Sequence, residues 1–497
     1  MFITGKTKNG STSLHQSIKS GNVEVMNLLL ESLNDKESQK EFIKCSNNYG
    51  YNSLHEAAYN GNIDIIEKLF EYFSDNKEAQ QEFIKVKDNL GYTPFHFAVQ
   101  NGHDKVVEIL LNCFDSKEAK IKLINDKDKI GYTPLKIAAK KGHTHVIDRL
   151  LKYFDNKIEN IENTEEDKST DRYNVLQLAC QMGHVKVIEK LLDKFTDEMN
   201  RLDFIKYKSK QKITCLHLAV QDGHLEAIEK LLEYFDEKTR IEFIEDTVSI
   251  GYNSLHIAAF NGHEQVVEKL LKYFVDDNSR FKFIKNNKNE KEYNALHLAS
   301  EKGHANIIDK LLSCFNNEQA KQEFIKDKSK NGSNALHFAA MYGNVLVVNK
   351  LLEYFDDKKA KQEFIKLKDV YGHNALHKAA DKGYVTIIET LLKYFDDGVA
   401  KREFIKEKSN RKFNSFNLAV TNGHVNVVEN LLEYFDKNAQ QDLILEKNDH
   451  GHNALDKAIE FKHNSLIKKL IMYFENNPDK IRNYEHLLQN DNRTKTI

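Results

Sequence analysis

The 497-residue chain repeats itself. A recurring Leu-His dipeptide, or its counterpart, places an apolar marker at Leu14, Leu54, Phe95, Leu135, Leu176, Leu216, Leu255, Leu296, Leu336, Leu376, Phe416 and Leu455, and every step between these twelve markers is 39, 40 or 41 residues. A fixed period of this length is the mark of stacked supersecondary units, because one such unit cannot cover its own apolar face and needs its neighbours to do so. Independent globular domains would not keep the register.

Each copy reads as a pair of short helices. Two residues before the marker stands Asn or Thr in all twelve copies, as at Asn52, Thr93, Asn253 and Asn334. Either side chain can accept from an orphan backbone N–H, so this position predicts a helix N-cap. Small residues such as Ala57-Ala58 and Ala258-Ala259 follow and allow a first helix to pack closely. Seven residues after the marker, Gly occupies eleven of the twelve copies, from Gly21 to Gly423, and Lys462 the last. Glycine suits the left-handed conformation that ends a helix. A second helix comes next. In the seventh copy Val267, Leu270, Leu271 and Phe274 share one apolar face, while Glu268, Lys269 and Lys272 lie opposite.

The stretch GYTPFHFAVQNGHDKVVEILL, Gly91–Leu111, resembles an ankyrin repeat, with Thr93, Pro94, His96, Gly102 and His103 matching that motif residue by residue. The resemblance extends over roughly residues 11–474 and implies an all-α, ankyrin-type helical solenoid. Two departures stand out. Only Thr93-Pro94 and Thr133-Pro134 keep the Thr-Pro pair; most copies read Asn-Ser or Asn-Ala, in which Asn still caps. The period is also long, against ~33 residues for the family. Nineteen residues after the marker, where that family has Gly, eleven copies have Phe, including Phe73, Phe235 and Phe435, so the second helix is expected to run on. The added residues, DKKAKQEFI in the ninth copy, place Ala360 and Phe364 four apart behind Asp356 or Asp357 as cap. They predict a short third helix in most repeats.

Residues 1–10 read as an N-terminal cap, 11–474 as the twelve repeats, and 475–497 as a C-terminal capping helix and polar tail, with Ile481, Tyr484, Leu487 and Leu488 at helical spacing. The stretch NKIENIENTEEDKSTDR, between the fourth and fifth copies, keeps the length but loses the Ala and Phe. It is the expected soft spot.

Of the 21 histidines, sixteen sit at two repeat positions: after the marker, as His55, His256 and His377, or at the start of the second helix, as His103, His304 and His463. Such periodicity assigns them to architecture, the role the resemblance also implies. His143 with His145, and His450 with His452, lack Cys or acidic companions at zinc-site spacing. Cys180 and Cys215 replace small residues and are expected to be buried. No GxSxG, HExxH, GxxxxGK[ST] or GxGxxG is present. No catalytic residue, cofactor or metal is therefore expected, and an enzyme with an unrecognised site is the lesser alternative.

Charge argues the same way. With 30% charged residues but a net charge of -2, nothing selects nucleic acid or an anionic membrane as partner. Five cysteines without paired spacing suit a reducing compartment. The first residues lack the apolar core of a signal peptide, and no apolar run approaches the roughly 18–20 residues that span a bilayer. The expected location is cytoplasmic, or a host cytoplasm, since the wealth of Lys, Asn and Ile suits an AT-rich genome and ankyrin arrays recur in microbial effectors. One or more proteins are the expected partners of a monomeric chain acting as scaffold or adaptor; an effector using the same surface is the alternative.

Repeat arrays hold their packing residues and vary their exposed ones, and bind along the inner surface. Five and six residues after each marker the chain is mostly polar. Tyr59, Met182, Phe260, Met341 and Tyr342 break that rule, and Tyr59, Phe260, Met341 and Tyr342 with Glu301 and Asp381 form the candidate partner-binding set. The finger tips, around Leu90, Ile130, Ile250 and Tyr371, are the fallback.

Overall fold

A computed structural model describes residues 5–154, 173–448 and 451–484. Among the described residues there are 34 α-helices, one 3-10 helix and no strand. They gather into two compact units, Met1–Ile244 and Glu245–Ile497. The first holds repeats one to six and the second repeats seven to twelve. Within each unit the first helices of consecutive repeats pack side by side, and the second helices do so in a parallel row.

Repeat nine shows how one copy is built. Its helices are Ala335–Tyr342, Val345–Glu353 and Lys358–Ile365. Asn334 caps the first, its side chain accepting from the backbone N–H of His337. The His337 ring closes the box: Nδ1 accepts from the Asn334 N–H at 3.3 Å, and Nε2 donates to the carbonyl of His373 in the next finger loop at 3.0 Å. The same Asn or Thr caps the first helix in all twelve repeats. The marker, the Ala pair and the apolar face of the second helix are buried, as the periodicity requires. Gly343 ends the first helix at φ +78°, and in repeat twelve Lys462 adopts the same left-handed conformation at φ +59°.

The second set of histidines ties repeats together. His103 Nε2 donates to the Tyr59 carbonyl at 3.0 Å, and His143, His304 and His424 reach back likewise to Gln100, Phe260 and Asp381. Each satisfies a carbonyl left free at the end of the preceding repeat's first helix. The ring lies so close to the neighbouring glycine that a Cβ on Gly61 would stand 2.6 Å from His103 Nδ1. Both histidine positions are thus architectural.

The third helix is present in ten repeats among the described residues, and in repeat nine Asp357 caps it. One expectation is corrected. The second helix does not run through the recurring Phe; in repeat seven it stops at Lys272 and in repeat nine at Glu353. The Phe instead follows in a tightened turn, Phe274 N–H donating to the Leu271 carbonyl. That turn swings the ring onto the Phe of the third helix, as in Phe274–Phe283 at 4.3 Å and Phe315–Phe324 at 4.9 Å. Burying two rings outweighs one more helical turn. At the C-terminal end, the expected capping helix is, in its described part, a 3-10 segment over Pro478–Tyr484 with Ile481 buried. Tyr484 Oη donates to Asp456 at 2.5 Å and accepts from Asn453 Nδ2 at 3.0 Å. Leu487, Leu488 and the stretch between repeats four and five lie outside the described residues.

Candidate functional site

In the second unit, the first helices of repeats seven to ten, Ser254–Asn261, Ala295–Lys302, Ala335–Tyr342 and Ala375–Lys382, lie in one row. Their last turns carry Phe260, Glu301, Met341, Tyr342 and Asp381. Phe260 and Met341 are half-buried, and Tyr342 is exposed. Lys302 folds over Phe260, with Nζ 4.3 Å from the ring centroid and 3.4 Å from Glu301 Oε1. The ring is therefore roofed by a cation held through both its face and a neighbouring carboxylate.

Glu301 is the electrostatic centre of this patch. Its side chain is only 15% exposed. Burial first, and then the Glu301 charge, push the phenols of Tyr293 and Tyr342 above the ordinary tyrosine range, and Tyr252 follows the same order. Both Tyr252 and Tyr293 come from finger loops. Tyr293 meets Phe338 edge-on at 4.9 Å, and Tyr252 stacks on His256 at 5.8 Å. The charge of one partly covered carboxylate is thus felt by three phenols, and Lys302 links that carboxylate to the Phe260 ring.

The structure brings Phe260, Glu301 and Tyr342 into this constellation, with Met341 beside Tyr342 on the same turn. Asp381 ends the row and is engaged locally: its carboxylate accepts from Asn422 Nδ2 at 3.1 Å and pairs with Lys382 at 3.2 Å. Tyr59 belongs to the other unit, where it is half exposed and meets Phe97 edge-on at 5.8 Å. Sequence reasoning did not single out Tyr252 and Tyr293. The available signal was a Tyr directly before the capping residue, at Tyr51, Tyr92, Tyr132, Tyr173, Tyr252 and Tyr293, replaced by Ser333 and His373 in repeats nine and ten. The finger tips Leu90, Ile130, Ile250 and Tyr371 are each more than half exposed.

Among the described residues no three His, Cys, Asp or Glu side chains are grouped to hold a metal ion. His143 bonds to Gln100, His145 and His452 face solvent, and His450 lies outside the described residues. Cys180 and Cys215 are buried as expected. No helix of the described residues is long and apolar enough to cross a membrane.

A model of three-copy ankyrin repeats matches residues 2–81, 116–203, 200–281, 276–362 and 296–402, and a single ankyrin-repeat model matches residues 90–125. Comparison with curated proteins finds no match. The matched residues make up well over half of the chain, and they coincide with the capping Asn or Thr, the buried His and the left-handed Gly described above. The chain belongs to the ankyrin-repeat family, whose repeats are a protein–protein interaction module.

Proposed function

We propose that this protein is a non-catalytic scaffold or adaptor whose inner face at repeats seven to ten docks a partner protein. The observation that carries the reading is the row Phe260, Glu301, Met341 and Tyr342. Aromatic and thioether side chains replace polar ones on two helices that flank the one carrying Glu301, whose charge acts on three phenols. Large, stiff rings beside a partly desolvated charge are the composition of interface hot spots, and the charge selects which partner fits. Lys302 serves as a lid that swings off Phe260 when a partner ring takes its place.

The test is site-specific photo-crosslinking in cells. A crosslinking residue replacing Tyr342 should trap a discrete partner protein, whereas one replacing Lys272, on the second helix of repeat seven, should not. Purified with that partner, Phe260→Ser and Tyr342→Ser should weaken binding while leaving the melting temperature nearly unchanged. Equal trapping from both positions, or unfolding by either Ser variant, would count against this face. In that event the exposed finger tips take its place.

A further inference from the structure

At the position two residues after the marker the array favours apolar side chains, with Gln16 in the first repeat exposed. That position holds Phe97, Ile137, Leu178, Leu218, Ile257, Leu298, Phe338 and Leu418 in eight repeats. Three copies carry a charge there: Glu56, Lys378 and Lys457. Both lysines bring their own counterion. Lys378 Nζ lies 2.6 Å from the buried Asp369 carboxylate, and Lys457 Nζ lies 2.7 Å from Glu460. Glu56 does not. Among the described residues no cationic side chain forms an ion pair with it and no donor bonds to its carboxylate; Lys19 acts on it only at a distance. Burial accordingly pushes the Glu56 carboxyl above the usual carboxylate range.

Glu56 also faces open space. It lines a groove of about 510 Å³ at the inner face of repeats one and two, together with the rings of Tyr49, Tyr51 and Tyr59 and the amides of Gln16 and Asn47. Tyr49 and Tyr51 stand 6.0 Å apart at 41°, and Phe97 backs both Tyr51 and Tyr59 edge-on at 5.1 and 5.8 Å. The exposed Lys19 also lines this groove, without pairing with Glu56. A half-buried carboxylate without a counterion is costly. Flanking it with aromatic faces is the arrangement that attracts a cation.

We propose that this groove receives the ammonium or guanidinium head of a lysine or arginine on a partner protein, with Glu56 as counterion and Tyr49, Tyr51 and Tyr59 as walls. The missing ion pair is completed from outside, as Asp369 and Glu460 complete it from within for the two lysines. The site belongs to the first unit and does not depend on the patch around Glu301.

The test uses the full chain and three capped pentapeptides, Gly-Gly-Xaa-Gly-Gly, in which Xaa is arginine, lysine or citrulline, the neutral isostere of arginine. Binding is read by calorimetry at low salt. The arginine and lysine peptides should bind, and the citrulline peptide roughly tenfold more weakly or not at all. Glu56→Gln should lose roughly tenfold for the cationic peptides only. Glu56→Leu, which restores the residue type of the sibling repeats, should lose the same while melting no lower than the parent. Tyr342→Ser should bind all three peptides unchanged, so that failure of this inference and failure of the proposed docking face are read separately. Equal binding of arginine and citrulline peptides, unaltered binding by Glu56→Gln, or no binding of either cationic peptide at about 10 mM, would overturn the assignment.

Discussion

The rings of Phe355 and Phe364 stack with centroids 4.6 Å apart and planes 21° from parallel. Phe355 follows the second helix of repeat nine and Phe364 belongs to the third, so this pair accounts for the long period: the added residues are a packed helix, clamped by a ring at each side of the turn. Both rings are 1% exposed. Phe364→Ala should therefore cost about 3–5 kcal/mol, the range for emptying a buried aromatic site. Hydrogen exchange across residues 358–365 should quicken in the variant. Unchanged exchange and stability would mean that the helix does not depend on the stack.

The staple between His103 and Tyr59 makes a second, finer test. Gly61 sits at φ +72°, and its missing Cβ leaves room for the His103 ring. His103→Ala should cost about 1 kcal/mol for the lost hydrogen bond. Gly61→Ala should cost more, because the left-handed backbone alone disfavours alanine by roughly 1–2 kcal/mol and the methyl group also meets the ring. In the double variant the clash is gone. The two losses should then sum to more than the measured one, by about 0.5 kcal/mol or more. Strict additivity in urea unfolding would argue against contact between them.

Acid should loosen the array through its buried histidines. Burial pushes the imidazoles of His55, His96, His256, His297 and His337 down to about 4, and that of His377 to about 3. Unfolded, they titrate near 6.5. Between those values the unfolded chain binds more protons, so stability is intact above about pH 6.5 and falls as the pH drops towards 4. Repeat five shows a substitute that does not titrate: Gln177 Oε1 accepts from the Asn174 N–H at 2.8 Å and Nε2 donates to the Ile213 carbonyl at 2.7 Å, the two bonds His337 makes in repeat nine. His337→Gln should keep the cap at neutral pH and flatten the slope by up to about 1.4 kcal/mol per pH unit. Denaturant unfolding at pH 7 and 4.5 measures both.

The charge at Glu301 has a spectroscopic signature. Because it raises the titration of Tyr252, Tyr293 and Tyr342 after burial has done so, Glu301→Gln should shift all three phenols downward while leaving that of Tyr92, in the first unit, where it is. Carbon-13 labelling at tyrosine Cζ resolves the rings individually. If none of the three moves, the carboxylate does not sit among them.

Most of the architecture was written locally. A helix cap needs only one acceptor at the right place, so Asn or Thr before each marker located every first helix. A period-3.6 apolar face located the second helices, and the Ala and Phe four apart located the third. The histidines, too, were separable from a metal site by periodicity alone, because a ligand set has no reason to recur at fixed steps along a chain. Local pattern failed at Phe274, whose spacing continues the helical face although the helix stops at Lys272. The ring's partner, Phe283, lies in another helix, and no periodicity encodes that choice. The candidate sites divide the same way. Phe260, Met341 and Tyr342 were visible as exceptions at exposed positions. That the charge of Glu301 reaches Tyr252 and Tyr293, that Lys302 roofs Phe260, and that Lys378 meets Asp369 of its own finger loop while Glu56 finds no counterion, were decided only by tertiary packing. Charge and burial are properties of the assembled surface: each depends on which side chains the neighbouring repeat supplies, some forty residues away in the chain.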